Sequence, residues 1–160
     1  MATPGEYLCY TDGSCKAADG EPGGWGFVIK RAGVVPVERY GKAHGTIAKV
    51  MEYRAVAEAL AALPAGAKAV VFCDNQSLVE NLSKQLGNWI RSGFVNVDPQ
   101  IVDDARNIAA RIDEGRLAVR FQWLRAHNGN PGNERADELA AQGAREAKAE
   151  LAARTRPGRR

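Results

Sequence analysis

Four acidic residues, Asp12, Glu52, Asp74 and Asp137, stand where a fold of mixed strands and helices could gather them. Asp12 follows the apolar run Leu8-Cys9-Tyr10 within one residue, and Asp74 directly follows Val70-Val71-Phe72-Cys73. A carboxylate at the end of a buried strand is partly desolvated, and two of them brought together repel unless a cation neutralises them. Three or four oxygen donors with no Cys or His among them suit a hard divalent cation, Mg²⁺ or Mn²⁺, rather than zinc. Two such ions could activate a water and stabilise the departing oxygen of a phosphodiester, an in-line two-metal displacement. Each acid also has a plain structural reading. Glu52 in a first helical turn could serve as dipole partner or cap, and Asp74, followed by Asn75, could cap the next helix.

The elements that must position these acids follow from periodicity. Residues 7–11, 25–30 and 34–40 are short apolar runs separated by glycine-rich and Arg-Ala-Gly punctuation, the pattern of strands joined by turns. Residues 50–63 carry Ala, Val and Leu at helical spacing until Pro64 and Gly66 stop them. Residues 67–73 are nearly unbroken apolar sequence, a strand covered on both faces, and residues 75–86 return to helical spacing. After an irregular stretch, 87–98, a helix is expected over 99–114, with Pro99 in its first turn and Gly115 at its end. Leu117, Val119, Phe121 and Trp123 alternate with Ala118, Arg120 and Gln122 as a last strand, and a closing helix starts at Pro131. The order implies an α/β fold: a mixed sheet, antiparallel at one side and parallel at the other, with helices on both faces. Asp12 then ends the first strand, Glu52 lies in the first turn of the first helix, Asp74 closes the buried strand, and Asp137 is in the closing helix. Strand ends and helix starts at one sheet edge are where such folds build sites.

A chain of 160 residues, 45% apolar and 26% charged, suits one compact domain and lies outside the range of disordered or fibrous proteins. No apolar run approaches the roughly 20 residues needed to cross a bilayer, and residues 1–6 lack the basic segment and apolar core of a secretion signal, so a cytosolic location is expected. Cys9, Cys15 and Cys73 are odd in number and have no paired metal-ligand spacing, as reduced thiols would be. Net charge is +3, but residues 154–160 hold four arginines and no acid, leaving the rest at 3 − 4 = −1. The folded body is therefore not basic. The arginine tail could attract phosphates at low salt or serve as a disordered solubilising end.

Several blocks, in order, resemble one known family. They are Tyr10-Thr11-Asp12-Gly13-Ser14-Cys15, Gly23-Gly24-Trp25-Gly26, Met51-Glu52, Cys73-Asp74-Asn75-Gln76, Trp123-Leu124-Arg125-Ala126-His127 and Gly132-Asn133-Glu134-Arg135-Ala136-Asp137. Together they look like the ribonuclease H type 1 family over residues 7–147. The resemblance implies a ribonuclease H-like fold with a five-stranded mixed sheet, three antiparallel strands and then parallel ones. A domain is expected over residues 1–150, with 151–160 as a basic, disordered tail. The implied activity is hydrolysis of the RNA strand of an RNA–DNA hybrid, leaving 5′-phosphate and 3′-hydroxyl ends. Asp12, Glu52, Asp74 and Asp137 match the family carboxylates that hold two Mg²⁺ ions, with Mn²⁺ as a substitute. No small-molecule cofactor is implied, and a monomer is expected.

His127 matches the family's mobile histidine, which assists water activation or product release. The Asn128-Gly129-Asn130-Pro131 stretch beside it has the composition of a flexible loop, and an imidazole passes protons near neutrality. Gly13 and Ser14, with Asn75 and Gln76, match positions that touch ribose 2′-hydroxyls and bases, the group by which RNA is told from DNA. Asn88 and Trp89 match the family's channel for the DNA strand, although Trp89 could equally be core. His44 lies in no motif.

Three departures from the family pattern stand out. Residues 89–99 are short and hold only Arg91, where a basic protrusion would be lysine-rich, which predicts weaker and more salt-sensitive hybrid binding. Thr46-Ile47-Ala48-Lys49-Val50 stands where relatives often carry a Thr-Asn-rich run. The loop from Asp12 to Gly23 has Lys16-Ala17-Ala18-Asp19-Gly20 in place of a Gly-Asn-Pro sequence. Two other readings compete: a DNA-cutting integrase or resolvase on the same fold, and a silent hybrid-binding module. The Gly-Gly-Trp-Gly and Asn-Glu-Arg-Ala-Asp blocks argue against the first, and the presence of all four acids against the second.

Overall fold

The front third of the chain folds as a meander of alternating apolar strands: β1 (Tyr7–Cys15), β2 (Glu21–Arg31) and β3 (Val34–Thr46). The computed structural model describes residues 5–15, 21–126 and 128–155. β4 (Lys68–Cys73) and β5 (Ala118–Trp123) complete one sheet of order β3-β2-β1-β4-β5. β1, β2 and β3 pair antiparallel, while β1 with β4 and β4 with β5 pair parallel. The mixed sheet expected from the element order is therefore present, with the five strands that the resemblance implies.

Helices cover both faces. α1 (Ala48–Ala61) and α4 (Val102–Glu114) bury Met51, Val56, Leu60 and Ile108 against one face, together with Cys9, Phe27, Val71 and Cys73. On the other face α5 (Pro131–Thr155) packs Ala136 and Leu139 against Tyr10 and Val28. β4 lies between two parallel neighbours with Ala69, Val70, Val71 and Cys73 buried, as its unbroken apolar sequence requires.

Several boundaries differ from the sequence expectation. β2 and β3 run longer than the apolar runs 25–30 and 34–40 because they pair with each other along most of their length, and α4 starts at Val102, so Pro99 lies before the helix and not in its first turn. β1 runs on to Cys15, so Asp12 lies inside the strand and not at its end, paired with Gly26 of β2. α1 starts at Ala48, which makes Glu52 its fifth residue, beyond the first turn where caps and dipole partners act. Helical backbone after β4 continues past residue 86, through α2 (Gln76–Glu80), a π-helical turn (Asn81–Gln85) and α3 (Leu86–Arg91). α5 reaches Thr155, so the first five residues expected to be tail are helical; residues 156–160 lie outside the described residues. No described helix is long and apolar enough to cross a membrane.

Candidate metal centre

The parallel register of β1 on β4 pairs Tyr10 with Phe72, and the Thr11 hydroxyl donates to the Phe72 carbonyl at 3.3 Å. Continued by two residues, that register sets Asp12 level with Asp74, just past the end of β4. Glu52 comes from the opposite side of β1 because Gly13 has no side chain: a Cβ there would stand 2.5 Å from Met51 C and 2.9 Å from Glu52 Cα. Strand and helix backbones therefore touch where β1 passes α1. Carboxylate oxygens of Asp12, Glu52 and Asp74 all lie within 4.8 Å of one another.

The fourth acid arrives through another set of close approaches. A Cβ on Gly26 would meet Leu139 Cβ at 2.6 Å and Ala140 N at 2.8 Å, and one on Gly24 would meet Gly143 C at 2.7 Å. These glycines let α5 lie directly on β2, and Asp137, the seventh residue of α5, shares a hydrogen bond with Asp12. The Gly-Gly-Trp-Gly block is thus a seat for the helix that carries the fourth carboxylate. All four acids named from the sequence come together in one place.

Electrostatics of the cluster follow from its geometry. At 4.8 Å separation, two unit charges repel by roughly 3 kcal/mol in a protein-like dielectric. Asp12, 5% exposed, has its carboxyl pushed up to about 9, first by burial, then by the charge of Asp74 and by the hydrogen bond and charge of Asp137. The Gly13 N–H, donating to Asp12 Oδ1 at 2.9 Å, opposes the shift. Burial likewise raises the Glu52 carboxyl, with a smaller push from Asp74, while a hydrogen bond from Asn75 pulls it back. Buried like charges with oxygen-only donors are a set that a hard divalent cation would neutralise, so these residues fit such an ion.

Asn75 supplies two contacts that its place in the sequence motif does not reveal. Its Nδ2 donates to Glu52 Oε2, and its Oδ1 accepts from Leu78 N at 3.0 Å, capping α2. The cap of that helix is therefore Asn75, not Asp74. Trp123, 40% exposed, was legible as a strand residue and as part of a motif but not as a site contact; its indole Nε1–H donates to the Asp74 carbonyl at 3.1 Å and fixes the backbone that presents that acid. Cys9 and Cys73 are buried thiols pushed up to about 12 by burial, and Cys15 is half-buried with its Sγ donating to the Pro22 and Thr46 carbonyls at 3.4 Å; none of the three is in a disulfide.

The remaining residues expected to touch substrate are distributed as follows. Gly13 and Ser14 are half-buried on β1 beside Asp12, and Gln76 is exposed at the start of α2. Asn88 is exposed on α3 with hydrogen bonds to Gln85 and Arg91, and Trp89 is half-buried against the main core. His127 lies outside the described residues. His44, in no motif, joins β3 to the far end of α5, its Nε2 2.8 Å from Glu150 Oε1 and its ring within 3.3 Å of Arg154.

The RNase H family model matches residues 4–145. The chain is similar to the ribonuclease H of Bordetella pertussis, 40% identical over 136 residues that cover 84% of this chain and 86% of that protein. It is also similar to the ribonuclease H of Polaromonas naphthalenivorans, 34% identical over 146 residues and 89% of each chain. Among solved structures, LC11-RNase H1 in complex with an RNA/DNA hybrid has a like fold: TM-score 0.70 at 22% identity, over 89% of this chain and 99% of that one.

Proposed function

This chain belongs to the ribonuclease H family and is a nuclease, and we propose that it cuts the RNA strand of RNA–DNA hybrids, leaving 5′-phosphate and 3′-hydroxyl ends. The observation that carries this reading is the close approach of Asp12, Glu52 and Asp74, with Asp137 hydrogen-bonded to Asp12. The four carboxylates would hold two Mg²⁺ ions, with Mn²⁺ as a substitute. Bound there, the pair supplies charge stabilisation at both the attacking and the departing oxygen of an in-line displacement.

The chain's own residues do the rest. Asn75 orients Glu52, Trp123 anchors the backbone of Asp74, and the glycine seat under α5 holds Asp137 beside Asp12. Gly13, Ser14 and Gln76 border the cluster on β1 and α2, where a ribose 2′-hydroxyl is the group to be read. Asn88 and Trp89 on α3 contact the DNA strand, and His127, between β5 and α5 in sequence, moves a proton. The binding of an RNA/DNA hybrid by LC11-RNase H1 supports the choice of substrate.

Matched RNA–DNA, RNA–RNA, DNA–DNA and single-stranded substrates, incubated with Mg²⁺, test the proposal. Shortening of the RNA strand of the hybrid alone is expected. Cleavage of duplex DNA instead would favour an integrase- or resolvase-like activity.

A further inference from the structure

α5 sorts its charges by face. Glu146 accepts a hydrogen bond from the Tyr40 hydroxyl at 2.6 Å, Glu150 pairs with Lys42 and His44, Arg135 pairs with Glu38 at 3.1 Å, and Arg154 reaches His44. All of these tie α5 to β3. Arg145 and Lys148 do not take part: both are exposed, and neither has a carboxylate within 4.0 Å among the described residues.

Their helical neighbours offer nothing either. Residues three and four positions from Arg145 are Ala141, Gln142, Lys148 and Ala149, and those around Lys148 are Ala144, Arg145, Leu151 and Ala152. The two cations are thus each other's i, i+3 neighbours with no acid in reach, an arrangement that costs an isolated helix a few tenths of a kcal/mol. They form one wall of a groove of about 550 Å³ whose other wall is Ser14, Cys15 and Glu21 at the end of the β1–β2 pair. Among the described residues that line it, one acid stands against two cations.

The groove is built on two of the elements that carry the acid cluster, β1 and α5. Ser14 stands two residues beyond Asp12 on β1, and Arg145 two turns beyond Asp137 on α5. At 1.5 Å per residue, Arg145 and Lys148 lie roughly 12 and 16 Å along the helix from Asp137, a span of about three to five nucleotides at about 3.4 Å per strand step.

We propose that this groove holds backbone phosphates of the strand being cut, a few nucleotides from the cleavage point, through Arg145 and Lys148. The proposal rests on the hybrid-cleavage reading above and adds a site that takes over part of the task of the lysine-poor segment after Trp89. Its phosphate contacts carry no base information, so they raise affinity without changing which sequences are cut.

The test compares full-length wild type with the double variant Arg145→Gln/Lys148→Gln, both positions exposed and Gln a good helix former. The logarithm of hybrid affinity is measured against the logarithm of salt concentration, with kcat and KM alongside. Losing two phosphate contacts should flatten the slope by roughly 1 to 2, raise KM and leave kcat and the melting temperature unchanged. Arg145→Lys should restore the wild-type slope. On hybrids shortened stepwise from either end, the difference between variant and wild type should vanish from one end only. An unchanged slope, or a KM difference that persists on hybrids shortened from both ends, overturns the groove while the nuclease reading stands. A wild type that cuts no hybrid overturns both.

Discussion

The carboxamide of Asn75 bridges two elements: its nitrogen donates to the Glu52 carboxylate on α1, while its oxygen accepts the Leu78 N–H at the head of α2. With both ends committed, Asn75 acts on the reaction by holding Glu52 still. This separates two functions that a substitution can split. Serine caps helices as well as asparagine does but is too short to reach Glu52. Asn75→Ser should therefore leave the melting temperature within about 2 °C of wild type while lowering kcat roughly tenfold at little change in KM. Asn75→Ala should add about 1 kcal/mol of destabilisation through the lost cap. Thermal melts beside steady-state kinetics check both; a Ser variant with unchanged kcat would show that Glu52 needs no such support.

Asp12 is the most buried of the four acids, and its replacement has a sign that can be worked out. Its folded pKa, about 9, lies above the ordinary value of 3.8, so the native state binds that proton more tightly than the unfolded chain does. In metal-free protein, the stability contributed by this carboxyl is complete below about pH 4 and is lost progressively as pH rises through about 9. Asn resembles the neutral form at every pH. Asp12→Asn should thus lose cleavage altogether while melting higher than wild type in chelator, by a margin that widens between pH 4 and pH 9. Each kcal/mol is worth about 2–4 °C at this chain length. A variant that melts lower at pH 8 would contradict the buried-charge account.

Which parts of this were legible in the sequence follows from what is local and what is not. Asp74 ending β4 was readable because an unbroken apolar run stops there, and Glu52 because helical spacing from residue 50 puts it near the head of a helix, although α1 starts two residues earlier. The position of Asp12 was harder, since Gly13 and Ser14 are poor strand formers, and only pairing with Gly24 and Trp25 keeps β1 extended through them. Gly24 and Gly26 announced themselves as a motif, but not that a helix 110 or more residues later would lie on them. The length of α5 was equally hidden. Residues 151–155 read as the start of a charged tail, and what holds the helix there is contact with His44 and Lys42 more than a hundred residues earlier.

Divalent metal should act on stability with the same pH trend as the substitution. Ions that bind only the folded acids raise the melting point; at ten times their Kd the gain is about 1.4 kcal/mol, or roughly 3–6 °C. Because the ion must displace the proton held by Asp12, the rise on adding Mg²⁺ or Mn²⁺ should be larger at pH 8 than at pH 6. Asp12→Asn should abolish most of it. Differential scanning calorimetry with and without chelator at the two pH values checks this, and a melting point indifferent to both ions at pH 8 would rule out the carboxylates as ligands.

The seat beneath α5 offers a test of how the fourth acid is positioned. A methyl group on Gly24 would run into Gly143 C at 2.7 Å and into the backbone of Ala140 and Ala144, none of which can rotate away. The helix must lift, which overpacking of this kind usually costs about 1–3 kcal/mol, and the lift is transmitted to Asp137 one to two turns earlier. Gly24→Ala should accordingly melt about 3–10 °C lower and lose activity at temperatures well below its melting point. Gly33→Ala is the control. Nothing lies within 4 Å of a Cβ there, but φ is +76°, so it should cost about 1–2 kcal/mol of backbone strain and leave kcat intact. If both variants lose stability but neither loses activity, the close contact serves packing alone and Asp137 is held by other means.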